Sequence, residues 1–225
     1  MKTYIITKDD LDKDNYYIWK TDLTNYEWNI ESEDNLWTIK FKKLLKAKGY
    51  IYFKDNTWIE ACEWITAGSS IKAGSSITAG LWIEAGWWIE AGDWIEAGWW
   101  IKAGEWIEAG WWIKAGEWIK AGEWIEAGDW IKAGKWITAG YWITAGFWIS
   151  CNWILKFNYN CFAWICNWRE IEEEDKTIIC WKKEWNWKIQ FWILKELWLK
   201  EEKKKVTLEL TDEQLNKIKN LINNK

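Results

Sequence analysis

The sequence predicts a mainly β chain. The expected fold is a three-sided β-solenoid, six residues per face and about 18 per coil, closed by a cap at each end. Three observations predict it. Isoleucine recurs every sixth residue, unbroken, from Ile59 to Ile149, sixteen times in all. Glycine, preceded by alanine, closes fourteen of these hexads, giving a consensus x-W-I-[E/K/T]-A-G. From the isoleucine on, each hexad from Ile59 to Ile143 places a polar residue between isoleucine and alanine, so the two apolar residues share a face with the period of two that a strand requires.

Other folds fit poorly. On an α-helix a step of six turns by about 240°, which spreads the isoleucines over three faces. A glycine in every hexad would also cost a helix about 1 kcal/mol each. A flat sheet or barrel is awkward because only five residues separate successive glycines. In a solenoid each hexad is one short strand and one corner, and coils stack about 4.8 Å apart. Glycine is then expected to supply an unusual φ at the corner. Isoleucine and the alanine two residues later share the inner face. The Glu, Lys, Thr or Ser between them points outward, and so does the tryptophan before the isoleucine.

The flanks follow in order. Residues 1–44 are mixed polar and aromatic and are expected to form an N-terminal cap. The solenoid is assigned to residues 45–155, with "LLKAKGYIYFKDNTW" as an imperfect first coil in which Leu45 and Ile51 echo the hexad. Ile154 arrives five residues after Ile149, so a register slip is expected there. Residues 156–205 read as a β-rich C-terminal cap with a charged turn near 170–176. Residues 206–225 read as a strand and a capping α-helix. Thr211 is a good N-cap, Asp212 and Glu213 suit the first turn, and Leu215, Ile218, Leu221 and Ile222 form one apolar face. Such a helix would cover a terminal coil whose open edge invites pairing with other chains.

The stretch "SSIKAGSSITAGLWIEAG" resembles the broad class of hexapeptide β-solenoid proteins. More narrowly, it is similar to G-I-x-A-G repeat proteins of bacterial and phage genomes, whose function is not settled. The resemblance covers about residues 57–150 and implies the solenoid fold. That class carries glycine or another small residue before the isoleucine. Here tryptophan stands there in fourteen of sixteen hexads, and Ser70 and Ser76 in the other two. Likeness to hexapeptide acyltransferases is weaker. Their pattern wants a small residue after the aliphatic one and a histidine base, whereas this chain has a charged or hydroxyl residue there and no histidine.

Composition excludes several chemistries. Net charge is -4 and the pI about 5.2, so direct nucleic-acid binding, which relies on counterion release, is not expected. The absence of histidine removes Ser-His-Asp and Cys-His catalysis and every histidine-containing metal site. The five cysteines at 62, 151, 161, 166 and 180 are odd in number and lack CxxC, which argues against a disulfide framework or zinc knuckle. Buried thiols in a reducing compartment are expected. Cys161, Cys166 and Cys180 have the one spacing worth testing for a metal, though none is expected. No cofactor is implied, and sixteen near-identical units offer no unique catalytic pair, so the chain is not read as an enzyme. The polar start is not expected to be a secretory signal, and no apolar run suggests a membrane span. The expected location is the cytoplasm, or the host cytoplasm if the gene is a phage's.

Residues eighteen apart should stack in columns. Trp88, Trp106, Trp124 and Trp142 form one, Trp82 to Trp136 and Trp94 to Trp148 the others. Glu90, Glu108 and Glu126 form an acidic column with Glu105 and Glu123 beside it, while Lys102 and Lys120 stand above Glu84. The candidate binding residues are therefore Glu90, Glu105, Glu108, Glu123, Glu126, Trp88, Trp106 and Trp124. They suit a structural scaffold or protein-interaction module with a protein partner. One alternative is an acidic nucleic-acid mimic that blocks a basic groove. Another is a glycan-binding surface of tryptophans near carboxylates. A second explanation of the tryptophans is decoding: the glycine codon GGA is one base from TGA, read as Trp by some bacteria and phages and as Gly by others. Misassigned codons would make the repeat x-G-I-x-A-G, with Ser70 and Ser76 equally small.

Overall fold

The structure, a computed structural model, describes residues 2–34 and 36–163 and the strands Thr177–Cys180, Lys182–Lys183 and Ile193–Glu196. Three parallel sheets wind a β-solenoid of about 7 coils with ~18 residues per turn. Among the described residues sheet I has nine strands, from Thr3–Ile6 to Asn160–Ala163. Sheet II has eight, from Leu45–Ala47 to Lys182–Lys183, and sheet III nine, from Thr38–Phe41 to Ile193–Glu196. Consecutive hexads visit the three sheets in turn, so each strand pairs with the one eighteen residues away. Trp106 opposes Trp124, Ile107 Ile125, Glu108 Glu126 and Ala109 Ala127.

The alternation read from the sequence holds. Every isoleucine from Ile59 to Ile149 is 0% exposed, and the alanines two residues later are at most 3% exposed. Burying an aliphatic side chain of this size stabilises by roughly 1.5–3 kcal/mol, so these three columns, one per sheet, carry the fold. All-parallel sheets ordinarily have both faces covered. Here no helix covers the outer face among the described residues; the half-buried tryptophan rings do.

The corners correct one expectation. No glycine has a positive φ. Glycine is required for space instead. The corner of each coil sits directly on the corner of the previous one, and a Cβ on Gly104 would overlap the Gly86 carbonyl oxygen. The close approach satisfies the backbone: Gly104 N–H donates to Ala85 O at 3.2 Å and Glu105 N–H to Trp87 O at 2.7 Å.

The expected register slip is also corrected. Leu155, six residues after Ile149, opposes Ile137 and is 0% exposed, while Ile154 takes the tryptophan position opposite Trp136. The hexad continues to Cys161 opposite Ile143 and Ala163 opposite Ala145. Ladder strands also occur before residue 45, since Asn29–Ser32 pairs with Ile51–Phe53 and Thr38–Phe41 with Trp58–Ala61. Residues 7–28 form a strap over this end. Tyr17 N–H donates to Lys40 O, and Lys40 N–H to Asn15 O, both at 2.9 Å. Tyr26 N–H donates to Lys46 O, and Lys46 N–H to Leu23 O, again at 2.9 Å. The strap thus occupies the edges of sheets III and II, which would otherwise be free to pair. The strap buries its own Tyr17 and Leu23 in the core. Burial raises the Tyr17 phenol well above its usual range, and its hydrogen bond with the Tyr4 hydroxyl adds to this. At the other end, Thr177–Cys180, Lys182–Lys183 and Ile193–Glu196 extend sheets III, II and III. The expected helix at 206–225 lies outside the described residues.

Candidate interaction face

Sheet I brings the sequence-derived site residues together. The hexads of Ile89, Ile107, Ile125 and Ile143 each turn two side chains outward on this sheet: the tryptophan, and the polar residue after the isoleucine. Trp88, Trp106 and Trp124 form a parallel stack, with centroids 4.8 and 4.9 Å apart and interplanar angles of 2° and 4°. The stack continues to Trp142 at 5.2 Å. Beside it runs the second column, Lys72, Glu90, Glu108, Glu126 and Thr144, in direct register. The corner column on the other side of the tryptophans holds Glu105 and Glu123, joined by a backbone hydrogen bond of 2.7 Å. Two acidic columns therefore flank the aromatic one.

The far corner adds residues that sequence reading missed. Asp93 and Asp129 stand in a column with Trp111 between them, linked by Trp111 N–H to Asp93 O at 2.6 Å and Asp129 N–H to Trp111 O at 2.5 Å. The eighteen-residue spacing applied to the corner position would have found them. Seven carboxylates thus line sheet I and its two corners between residues 69 and 146, against one lysine, Lys72.

Pairing separates this face from the others. Lys72 binds Glu90 at 2.7 Å, and Ser75 donates to Asp93 at 2.6 Å. Among the described residues no ion pair reaches Glu105, Glu108, Glu123, Glu126 or Asp129. Burial raises the Glu108 carboxyl above its ordinary range, and the charges of Glu126 and Glu90 raise it further. Burial does the same to Asp129. Sheets II and III instead place opposite charges on neighbouring strands, Lys102 with Glu84 at 2.6 Å and Lys114 with Glu96 at 2.7 Å. Their surplus is basic, in Lys120 and Lys132.

Chemically, the face can attract cations and offer aromatic surface. Among the described residues no group of three or more His, Cys, Asp or Glu is placed to hold a metal ion. Cys151 takes an alanine position inside, opposite Ala133, and Cys166 lies outside the described residues. No helix among the described residues is long and apolar enough to cross a membrane. Comparison with protein-family models, characterised proteins and solved structures found no match.

Proposed function

We propose that this chain is a non-catalytic β-solenoid that serves as a scaffold and protein-interaction module, with sheet I as its docking face and a basic protein surface as its partner. One observation carries the reading: among the described residues Glu105, Glu108, Glu123, Glu126 and Asp129 stand without an ion pair over two successive coils of one face, where the other two faces place opposite charges in cross-strand pairs. Like charges about 5 Å apart repel, and a cationic partner relieves that repulsion. The likeness to G-I-x-A-G repeats adds a bacterial or phage setting, with the cytoplasm or host cytoplasm as the location. The test is a pull-down from bacterial lysate at low and high salt, using the chain and its Glu90→Lys, Glu108→Lys, Glu126→Lys variant. A partner lost on charge reversal and weakened by salt supports the reading; a partner retained by the reversed variant overturns it.

A second reading, nucleic-acid mimicry, draws support from charge density. Seven carboxylates over three coils of about 4.8 Å give roughly one charge per 2 Å of axis, close to the one per ~1.7 Å of duplex DNA. In that case the captured partner is a nucleic-acid-binding protein, and duplex DNA displaces it. A glycan platform has less support, because rings stacked at 2° to 9° turn their edges outward and hide their faces in one another.

A further inference from the structure

Two serines interrupt the tryptophan columns, and the two gaps differ. On sheet III, Ser76 stands between Trp58 and Trp94. These rings lean over it and meet edge to face at 5.6 Å and 67°, and the Trp58 indole N–H donates to Thr78 Oγ1 at 3.2 Å. That gap is closed. On sheet I, Ser70 stands between Tyr50 and Trp88, as the bonds from Ile51 N–H to Ser70 O and from Ile71 N–H to Trp88 O require. Here a cavity of about 230 Å³ remains, lined by Tyr50, Ile51, Tyr52, Ser70, Lys72 and Trp88.

Both walls are fixed from behind. The Tyr50 hydroxyl donates to Glu31 Oε1 at 2.5 Å, which draws the ring away from Trp88. Trp88 lies flat on Trp106 at 4.8 Å and 2°. Two coil spacings, about 9.6 Å, separate the Tyr50 and Trp88 positions. One ring placed midway would keep the spacing of the ladder itself, where stacked centroids run from 4.5 Å for Trp64 and Trp82 to 5.9 Å for Trp118 and Trp136. Ser70 is 4% exposed, and among the described residues its hydroxyl meets that of Ser69 alone, at 3.5 Å, leaving capacity for the edge of an incoming ring. The carboxylate columns begin beside it, at Glu90.

We propose that this slot receives the aromatic side chain of a basic partner segment, as the missing rung between Tyr50 and Trp88, with lysines or arginines flanking that residue seated on the Glu108, Glu126, Glu105 and Glu123 columns. The proposal rests on the docking face described above. Shape selects the ring, because the slot is one rung high, and charge complementarity selects its neighbours.

Fluorine NMR tests it with two probes: a lysine-rich peptide bearing one 5-fluorotryptophan, and 5-fluoroindole alone. Wild-type protein should broaden both resonances. Ser70→Trp places in the slot a residue that fourteen hexads already carry, so the fold should hold. It should weaken the peptide about tenfold and abolish broadening of fluoroindole. Trp88→Leu, which removes one wall, should weaken both probes and stands in if Ser70→Trp fails to fold. The Glu108→Lys, Glu126→Lys variant should weaken the peptide and leave fluoroindole unchanged. If the slot variants bind both probes as wild type does, the slot is overturned while the acidic face stands. If the charge-reversed variant binds the peptide unchanged, the docking face falls and the slot stands on the ring alone. No broadening of either probe by wild-type protein overturns the proposal.

Discussion

The inside of the prism and its acidic face are made by the same hexads under opposite constraints. Inside, Ile107 stands between Ile89 and Ile125, and from Ile59 to Ile149 each buried column repeats the same aliphatic residue. Outside, the column after the isoleucine runs Lys72, Glu90, Glu108, Glu126 on sheet I and Thr66, Glu84, Lys102, Lys120 on sheet II. The backbone is the same, and the charge is reversed on two successive coils, Lys102 against Glu108 and Lys120 against Glu126. Fold and surface charge are therefore written at different positions of one repeat, and each can change without the other.

Substitutions should show the same division. Ile107→Ala opens a cavity in the column and should cost about 2–5 kcal/mol in chemical denaturation. Gly104→Ala drives a Cβ into the Gly86 carbonyl, an obstacle that cannot rotate away, and should cost toward the upper end of about 1–3 kcal/mol. Trp106→Ala removes two stacking partners, Trp88 and Trp124, and should cost roughly 1–2 kcal/mol. A loss as large as that of Ile107→Ala would mean that the rings belong to the core.

Two carboxylates should give smaller effects of opposite sign in melting curves taken across pH. Glu108 has a raised pKa from burial and from Glu126 and Glu90. Its cost is absent below the ordinary carboxylate range and grows as pH rises through its folded value. Glu108→Gln should therefore raise the melting temperature at neutral pH and leave the acid limb unchanged. At Asp10, burial opposes ionisation, but hydrogen bonds from Thr7 and Lys20 outweigh it and hold the carboxyl below its ordinary value. Its contribution is present above the ordinary range and lost as pH falls through the folded value. Asp10→Asn should lower the melting temperature at neutral pH and flatten the acid limb.

Much of this was legible in the sequence, because a strict period fixes register. Sixteen isoleucines six apart, three to a coil, assign every residue from 57 to 150 to a sheet, a face and a column. The acidic and aromatic columns followed by counting. The role of the corner glycines did not, because a spacing pattern cannot distinguish a residue needed for its φ from one needed for its missing Cβ. Nor did the ladder strands before residue 45, since the six-residue spacing of Ile39, Leu45 and Ile51 is broken by nine residues after Ile30 and eight before Ile59. The open slot depends on how far Trp58, Tyr50 and their neighbours lean, which no pattern contains.

The glycine finding bears on decoding. Tryptophan fills fourteen of the sixteen positions before an isoleucine, which face outward, and none of the fourteen corners where a Cβ would strike a carbonyl. Codon misassignment blind to structure would fall on both. Duplication of one hexad would copy its codon choice as faithfully, so the codons decide. The expected result is TGG at these positions and no mass difference between the native protein and this sequence. Glycine at those positions would remove the ladder and the slot, and leave the carboxylate columns in place.

Parallel, in-register stacking turns insertions and deletions into geometric operations. Losing eighteen residues of the array shortens the rod by one coil and leaves each face as it was. Losing six keeps isoleucine on isoleucine but rotates everything downstream by a third of a turn, carrying Glu126 and its successors to another face. A gene of such repeats, prone to unequal exchange, thus has two kinds of copy-number change available: one that tunes length, and one that reshuffles surface charge at a stroke with the core untouched.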